Sequence, residues 1–71
     1  MKIKQAFWFS TLQGTIGIVV GEDEHTGKRK GYIGMVGGRD EEADTETIAQ
    51  QGSPVMAAYI GEIADYLRGK S

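Results

Sequence analysis

The 71-residue chain has no cysteine, a single proline and a single histidine. Without cysteine it can form neither a disulfide framework nor a thiolate metal site. It also lacks any apolar run approaching the roughly 20 residues that a membrane-spanning helix needs. A chain this short lies near the lower limit for a self-sufficient core, which favours association with a partner. We therefore expect one small domain over residues 1–71, located in the cytoplasm.

The net charge of the chain is small, but the charged residues are unevenly distributed. Residues 1–38 carry five Lys/Arg and three Asp/Glu, a balance of +2, whereas residues 39–71 carry three Lys/Arg and seven Asp/Glu, a balance of −4. A nucleic-acid-binding domain usually displays a much stronger basic footprint. The net charge of −2 therefore disfavours nucleic acid as the partner.

Glycine, in contrast, is abundant, and its densest stretch predicts a β-hairpin. Apolar runs at 15–21 and 31–36 flank a polar segment that ends at Gly27, where a positive φ can close the loop. A four-residue loop places Glu22 opposite Arg29 and Asp23 opposite Lys28. The same register places Gly17 opposite Gly34, Ile18 opposite Ile33 and Val19 opposite Tyr32.

The aromatic and β-branched segment before this hairpin predicts a further strand. A turn at Gln13-Gly14 would pair Phe9 with Ile18 and Phe7 with Val20. The expected fold is α+β, with a three-stranded antiparallel meander at about 3–12, 15–22 and 29–37.

Alternation divides the meander into two faces. One, the core face, is apolar and must be covered; it carries Phe7, Phe9, Ile16, Ile18, Val20, Ile33 and Met35. The other, the aromatic face, carries Lys4, Trp8, Gly17, Val19, Gly21, Lys28, Lys30, Tyr32, Gly34 and Val36.

A C-terminal helix at about 54–68 is the expected cover for the core face. Ser53 is a favoured N-cap, Pro54 suits the first helical position, and Gly69 is a stop signal. One apolar stripe follows helical spacing, formed by Met56, Ile60, Ile63 and Leu67. Residues 41–50 are rich in acidic side chains, and they predict either a short helix or a structured loop.

The candidate binding surface is the aromatic face. Trp8, Val19 and Tyr32 span its three strands, and Lys28 and Lys30 lie at its margin. Three interpretations remain open. The rings could anchor a protein interface, they could only shield Gly17 and Gly34, or they could stack the bases of single-stranded nucleic acid. The first is favoured, because one helix would satisfy only one face of the sheet.

A second candidate contact is a small-residue stripe beside the apolar stripe of the last helix, formed by Ala57, Gly61 and Ala64. A glycine inside a helix costs about 1 kcal/mol relative to alanine, so a close backbone approach is one explanation and a tolerated surface glycine is the other.

No catalytic motif is recognisable, and the acidic run lacks the spacing of a calcium loop. The lone His25 has no partner of a catalytic type. We predict a non-enzymatic binding or assembly module without a cofactor, acting through protein–protein contacts as a homodimer. Single-stranded nucleic-acid binding on the Trp8/Tyr32 face is the alternative.

Overall fold

The computed structural model describes residues 1–37 and 40–69. It is an α+β fold, as predicted. In chain order the elements are β1 (Lys2–Thr11), β2 (Gly14–Glu22), β3 (Arg29–Val36), α1 (Glu41–Gln51), β4 (Ser53–Val55), a 3₁₀ turn (Ala57–Tyr59) and α2 (Ile60–Gly69). The four strands form one antiparallel sheet in the order β1-β2-β3-β4. None of the described helices is long and apolar enough to cross a membrane.

The predicted register of the β2–β3 hairpin is confirmed. Glu22 lies opposite Arg29, Val19 opposite Tyr32 and Gly17 opposite Gly34. Asp23 N–H donates to the Lys28 carbonyl over 2.9 Å, which closes the ladder at the loop.

The predicted pairing of β1 is off by two residues. Phe9 faces Ile16 and Phe7 faces Ile18, because the turn is Leu12-Gln13 rather than Gln13-Gly14. Side chains alternate with period two, so this shift leaves the assignment of faces unchanged.

The loop at the end of the β2–β3 hairpin is held by Asp23. Its Oδ1 accepts the backbone N–H of Thr26 over 3.0 Å and that of His25 over 2.7 Å. These two hydrogen bonds stabilise the carboxylate and lower the pKa of Asp23 below its ordinary value of 3.8. Gly27 takes the positive φ that the sequence predicts, 72°. The expected Glu22–Arg29 ion pair forms at 3.8 Å between Oε1 and Nε.

Most of the core face is covered by α2, as predicted, whereas Met35 of that face is 54% exposed. Ile18, Val20 and Ile60 form a buried cluster, and half-buried apolar side chains pack against it, namely Phe7, Phe9, Ile33, Val55, Ile63 and Leu67. Arg68 lies over the Phe7 ring at 5.9 Å from its centroid.

The C-terminal helix begins later than predicted. Ser53–Val55 pairs with β3 as a fourth strand, and helical structure starts only at Ala57. A proline disfavours helical backbone dihedrals at the residue before it, and an edge strand tolerates proline. The Ser53-Pro54 pair therefore suits an edge strand as well as a helix start. Met56 consequently lies outside the core, with 65% of its surface exposed.

The acidic segment is a helix rather than a loop, and it covers the face that we expected to be open. Asp40 caps α1 by accepting from Ala43 N–H, and Asp44 accepts from Asp40 N–H over 2.8 Å. The helix contacts mainly β2 and β3. Its one buried side chain, Ile48, lies over Gly17 and Gly34 of the aromatic face. The sheet is therefore packed between two helices.

Candidate functional site

The residues proposed for the aromatic face do not form a continuous exposed platform. Val19 is completely buried, and Trp8 and Tyr32 are half-buried. The expectation of an exposed apolar patch across all three strands is therefore wrong. The reason is that α1 packs on the aromatic face and covers it.

The glycines of this face accommodate that cover. A Cβ atom at residue 17 would lie 2.5 Å from Trp8 Cζ3 and would overlap Ile48 Cδ1. At residue 34 the nearest atom, Ile48 Cγ1, is 3.4 Å away, which is an ordinary contact. The indole thus shields Gly17, as one of the three interpretations holds, and Gly34 is shielded by the helix.

The predicted lysines are at the surface, but the surface around them is mixed in charge. Lys28 and Lys30 are exposed, whereas Lys4 pairs with Glu22 at 3.4 Å between Nζ and Oε2. The carboxylates of α1 lie over the same side of the sheet as Trp8. A polyanion bound to this face would meet these carboxylates, which disfavours a phosphate backbone there.

The proposed small-residue stripe does not act as one surface. Ala64 is buried, Ala57 is half-buried and Gly61 is exposed. A Cβ atom added at Gly61 would meet no atom of the described residues within 4 Å. In the part of the chain that the structure describes, no close backbone approach explains that glycine.

The outer edge of β1 is the most open hydrogen-bonding surface among the described elements. The Asp23–Lys28 bond shows that odd-numbered residues of β2 direct their backbone groups to β3, so even-numbered residues face β1. Their partners in β1 include Phe7 and Phe9. By alternation, the backbone N–H and C=O groups of Ala6, Trp8 and Ser10 point outward, and no described strand pairs with them.

This edge is protected at one end only. Natural edge strands are commonly guarded by lysines, bulges or proline. Lys2 and Lys4 guard the start of β1, and a bulge interrupts its pairing between Ile3 and Gln5. The regular span that follows, residues 5–11, carries no charge and no proline. Its three central residues, 7 to 9, are aromatic and half-buried.

A cleft of about 670 Å³ opens beside the start of this strand. Its floor is apolar, formed by Met1 and Ile3, which are 54% and 38% exposed. Its opposite wall is formed by α1, which contributes Glu42, Thr45, Glu46 and Ala49. The cleft is therefore an apolar surface with an acidic margin, continuous with the open edge.

Over residues 1–37 and 40–69, no group of three His, Cys, Asp or Glu side chains is arranged to hold a metal ion. Comparisons with protein-family models, with curated proteins and with solved structures find no match to this chain. The geometry of the open edge and the cleft therefore carries the functional inference.

Neither the open edge of β1 nor the cleft was predicted from the sequence, although the sequence does indicate where α1 packs. A lone isoleucine in an acidic helix, opposite two glycines on a sheet, indicates where that helix packs. The bulge at the start of β1 has no such signal, since neither glycine nor proline marks it.

Proposed function

We propose that this protein is a small non-enzymatic assembly module that associates with itself through the outer edge of β1. The observation that carries the proposal is the uncharged span 5–11, with the backbone groups of Ala6, Trp8 and Ser10 directed outward. Strand addition at such an edge derives affinity from main-chain hydrogen bonds and specificity from alternate side chains. A cytoplasmic location remains a prediction from the sequence.

The aromatic residues of β1 support a protein partner. Phe7 and Phe9 complete the apolar cluster on one face at its margin, and Trp8 covers glycine on the other face. Each ring is half-buried, so each has surface left that a neighbouring strand would cover. Burial of apolar surface contributes roughly 25 cal/mol per Å² before the costs of association are subtracted.

Sedimentation of the wild-type protein from low to high micromolar concentration tests the proposal. We expect a reversible monomer–dimer equilibrium, and we expect Ala6→Lys to shift it towards monomer because charge on an edge strand opposes pairing. Ala6 is exposed and lies outside the core cluster, so the fold should persist. The matched control is Pro54→Lys on β4, which should leave the equilibrium unchanged. A wild type that stays monomeric throughout would overturn the proposal.

The same samples test the nucleic-acid alternative. If single-stranded oligonucleotide shifted Trp8 fluorescence in a salt-sensitive manner, stacking on the indole would replace self-association as the function. We expect no such shift, since α1 brings carboxylates to that side of the sheet.

A further inference from the structure

We infer that two copies pair their β1 strands antiparallel about a two-fold axis at Trp8, so that Leu12 of each copy closes the cleft of the other. This inference rests on the proposed function, and it adds the register and the completed site.

The register follows from the length of regular strand on either side of Trp8. The bulge between Ile3 and Gln5 ends the regular ladder on one side, and the turn after Thr11 ends it on the other. The midpoint of residues 5–11 is Trp8. An axis there uses the whole regular span, with Phe7 opposite Phe9 of the second copy and Ala6 opposite Ser10.

The backbone geometry also favours this axis. The outward groups of Trp8 meet those of the second copy's Trp8 as a hydrogen-bonded pair, and Ala6 and Ser10 pair in the same manner on both sides. An axis between two residues would place the outward N–H and C=O groups of one copy opposite residues whose own N–H and C=O groups are already bonded to β2. No hydrogen bonds could form there, which excludes such an axis. An axis at Phe7 or Phe9 keeps the correct alternation but overlaps a shorter part of the regular span, so fewer hydrogen bonds form.

Charge is also compatible with a second copy as the occupant. In this register Lys4 lies opposite Leu12, and Lys2 lies beyond the β1–β2 turn of the second copy, so no two lysines face each other. Lys4 is moreover paired with Glu22 in its own chain. Copies aligned at Ala6 would instead bring the bulge of each chain into the ladder.

Leu12 supplies the contact that completes the cleft. It is fully exposed at the β1–β2 turn, directly after the last residue of β1. The two-fold places it beside the bulge of the other chain, next to Met1 and Ile3. Leu12 of one copy and Met1 and Ile3 of the other, all exposed in the single chain, are then buried against each other.

Cysteine cross-linking tests the register, because the native chain contains no cysteine. Ala6→Cys and Ser10→Cys chains are mixed in equal amounts, oxidised and resolved by mass. Opposed residues have Cα atoms about 5.5 Å apart, within disulfide range, whereas Ala6 and its own copy would be roughly 14 Å apart. We expect the disulfide-linked dimer of the two different variants to exceed either homodimer several-fold. A mixed dimer no more than twice as abundant as either homodimer, which is what random pairing of equal amounts gives, would overturn this register but leave self-association intact if the wild type sediments as a dimer.

Opposite charges at Leu12 test the cleft. Leu12→Glu adds a carboxylate facing the acidic margin and should weaken the dimer about tenfold, whereas Leu12→Lys should weaken it less, and the difference should shrink at high salt. Both substitutions are at a fully exposed residue, so folding should be unaffected. Identical affinities for the two variants would remove Leu12 from the interface. A monomeric wild type would reject this inference together with the proposed function.

Discussion

The two edges of the sheet differ in length and in what they present to solvent. β1 has ten residues, whereas β4 has three. In β4 the outward position is Pro54, which lies opposite Tyr32 and has no N–H to offer. The outward positions of β1 are Ala6, Trp8 and Ser10, all of which retain their N–H groups. The chain therefore closes one edge with its only proline and leaves the other able to accept a strand.

At the β1 edge, the residues whose backbone holds the fold together are therefore different from the residues whose backbone is available to pair with another strand. Along β1, alternate residues bond inward to β2 or outward to solvent, so neighbouring positions should respond differently to the same substitution.

The largest effect is expected from proline placed in β1. Gln5→Pro removes an N–H that faces β2 and leaves an acceptor unpaired, which should cost about 1 to 3 kcal/mol of unfolding free energy. Ala6→Pro removes an outward N–H and no hydrogen bond to β2, so it should cost less stability than Gln5→Pro while the dimer dissociates. Chemical denaturation and sedimentation of both variants provide the measurements. Equal destabilisation by the two prolines would contradict the assignment of inward and outward backbone.

A loss of stability similar in size to that of Gln5→Pro is expected from a methyl group placed beneath α1 at Gly17. Gly17→Ala would overlap Trp8 and Ile48, and this overpacking should cost about 1 to 3 kcal/mol. Gly34→Ala meets only an ordinary contact at 3.4 Å and should be close to neutral. Denaturant titration compares the two. If Gly34→Ala were the more damaging variant, the position of Ile48 over the sheet would be wrong.

The smallest effect on stability is expected at Asp23, which holds the β2–β3 loop in place. Its pKa is lowered, so its contribution to stability is present above 3.8 and is lost as pH falls through the lower folded-state pKa. In an NMR titration the Asp23 carboxyl carbon should titrate below 3.8, and the amide protons of Thr26 and His25 should follow it. Asp23→Asn is the control, because it can accept the same bonds without titrating. A midpoint at or above 3.8 would contradict this loop geometry.

Much of the fold could be predicted because its signals are local. Alternation assigned both faces of the sheet, and the charges and glycine of the β2–β3 loop indicated its register. The stripe of Ile60, Ile63 and Leu67 identified the cover of the core face. The start of α2 was missed because a Ser-Pro pair suits an edge strand as well as a helix start.

The candidate site was harder to predict because it depends on the packing of distant segments. Trp8 and Tyr32 stand out in the sequence, but the cover over their face comes from Ile48, the one buried side chain of an acidic helix. Once that helix is in place, the open surface moves from the centre of the aromatic face to the edge of β1 and the cleft beside it. Ile3 and Leu12, which belong to that surface, have no motif to identify them.

Hydrogen exchange at individual β1 amides, measured by NMR at several protein concentrations, tests the central claim most directly. In dilute monomer the amides of Phe7 and Phe9 should be protected by β2, while those of Ala6, Trp8 and Ser10 exchange rapidly. At concentrations where the protein sediments as a dimer, all five should be protected. Rapid exchange of the three outward amides in a sample that is fully dimeric would contradict association through this edge.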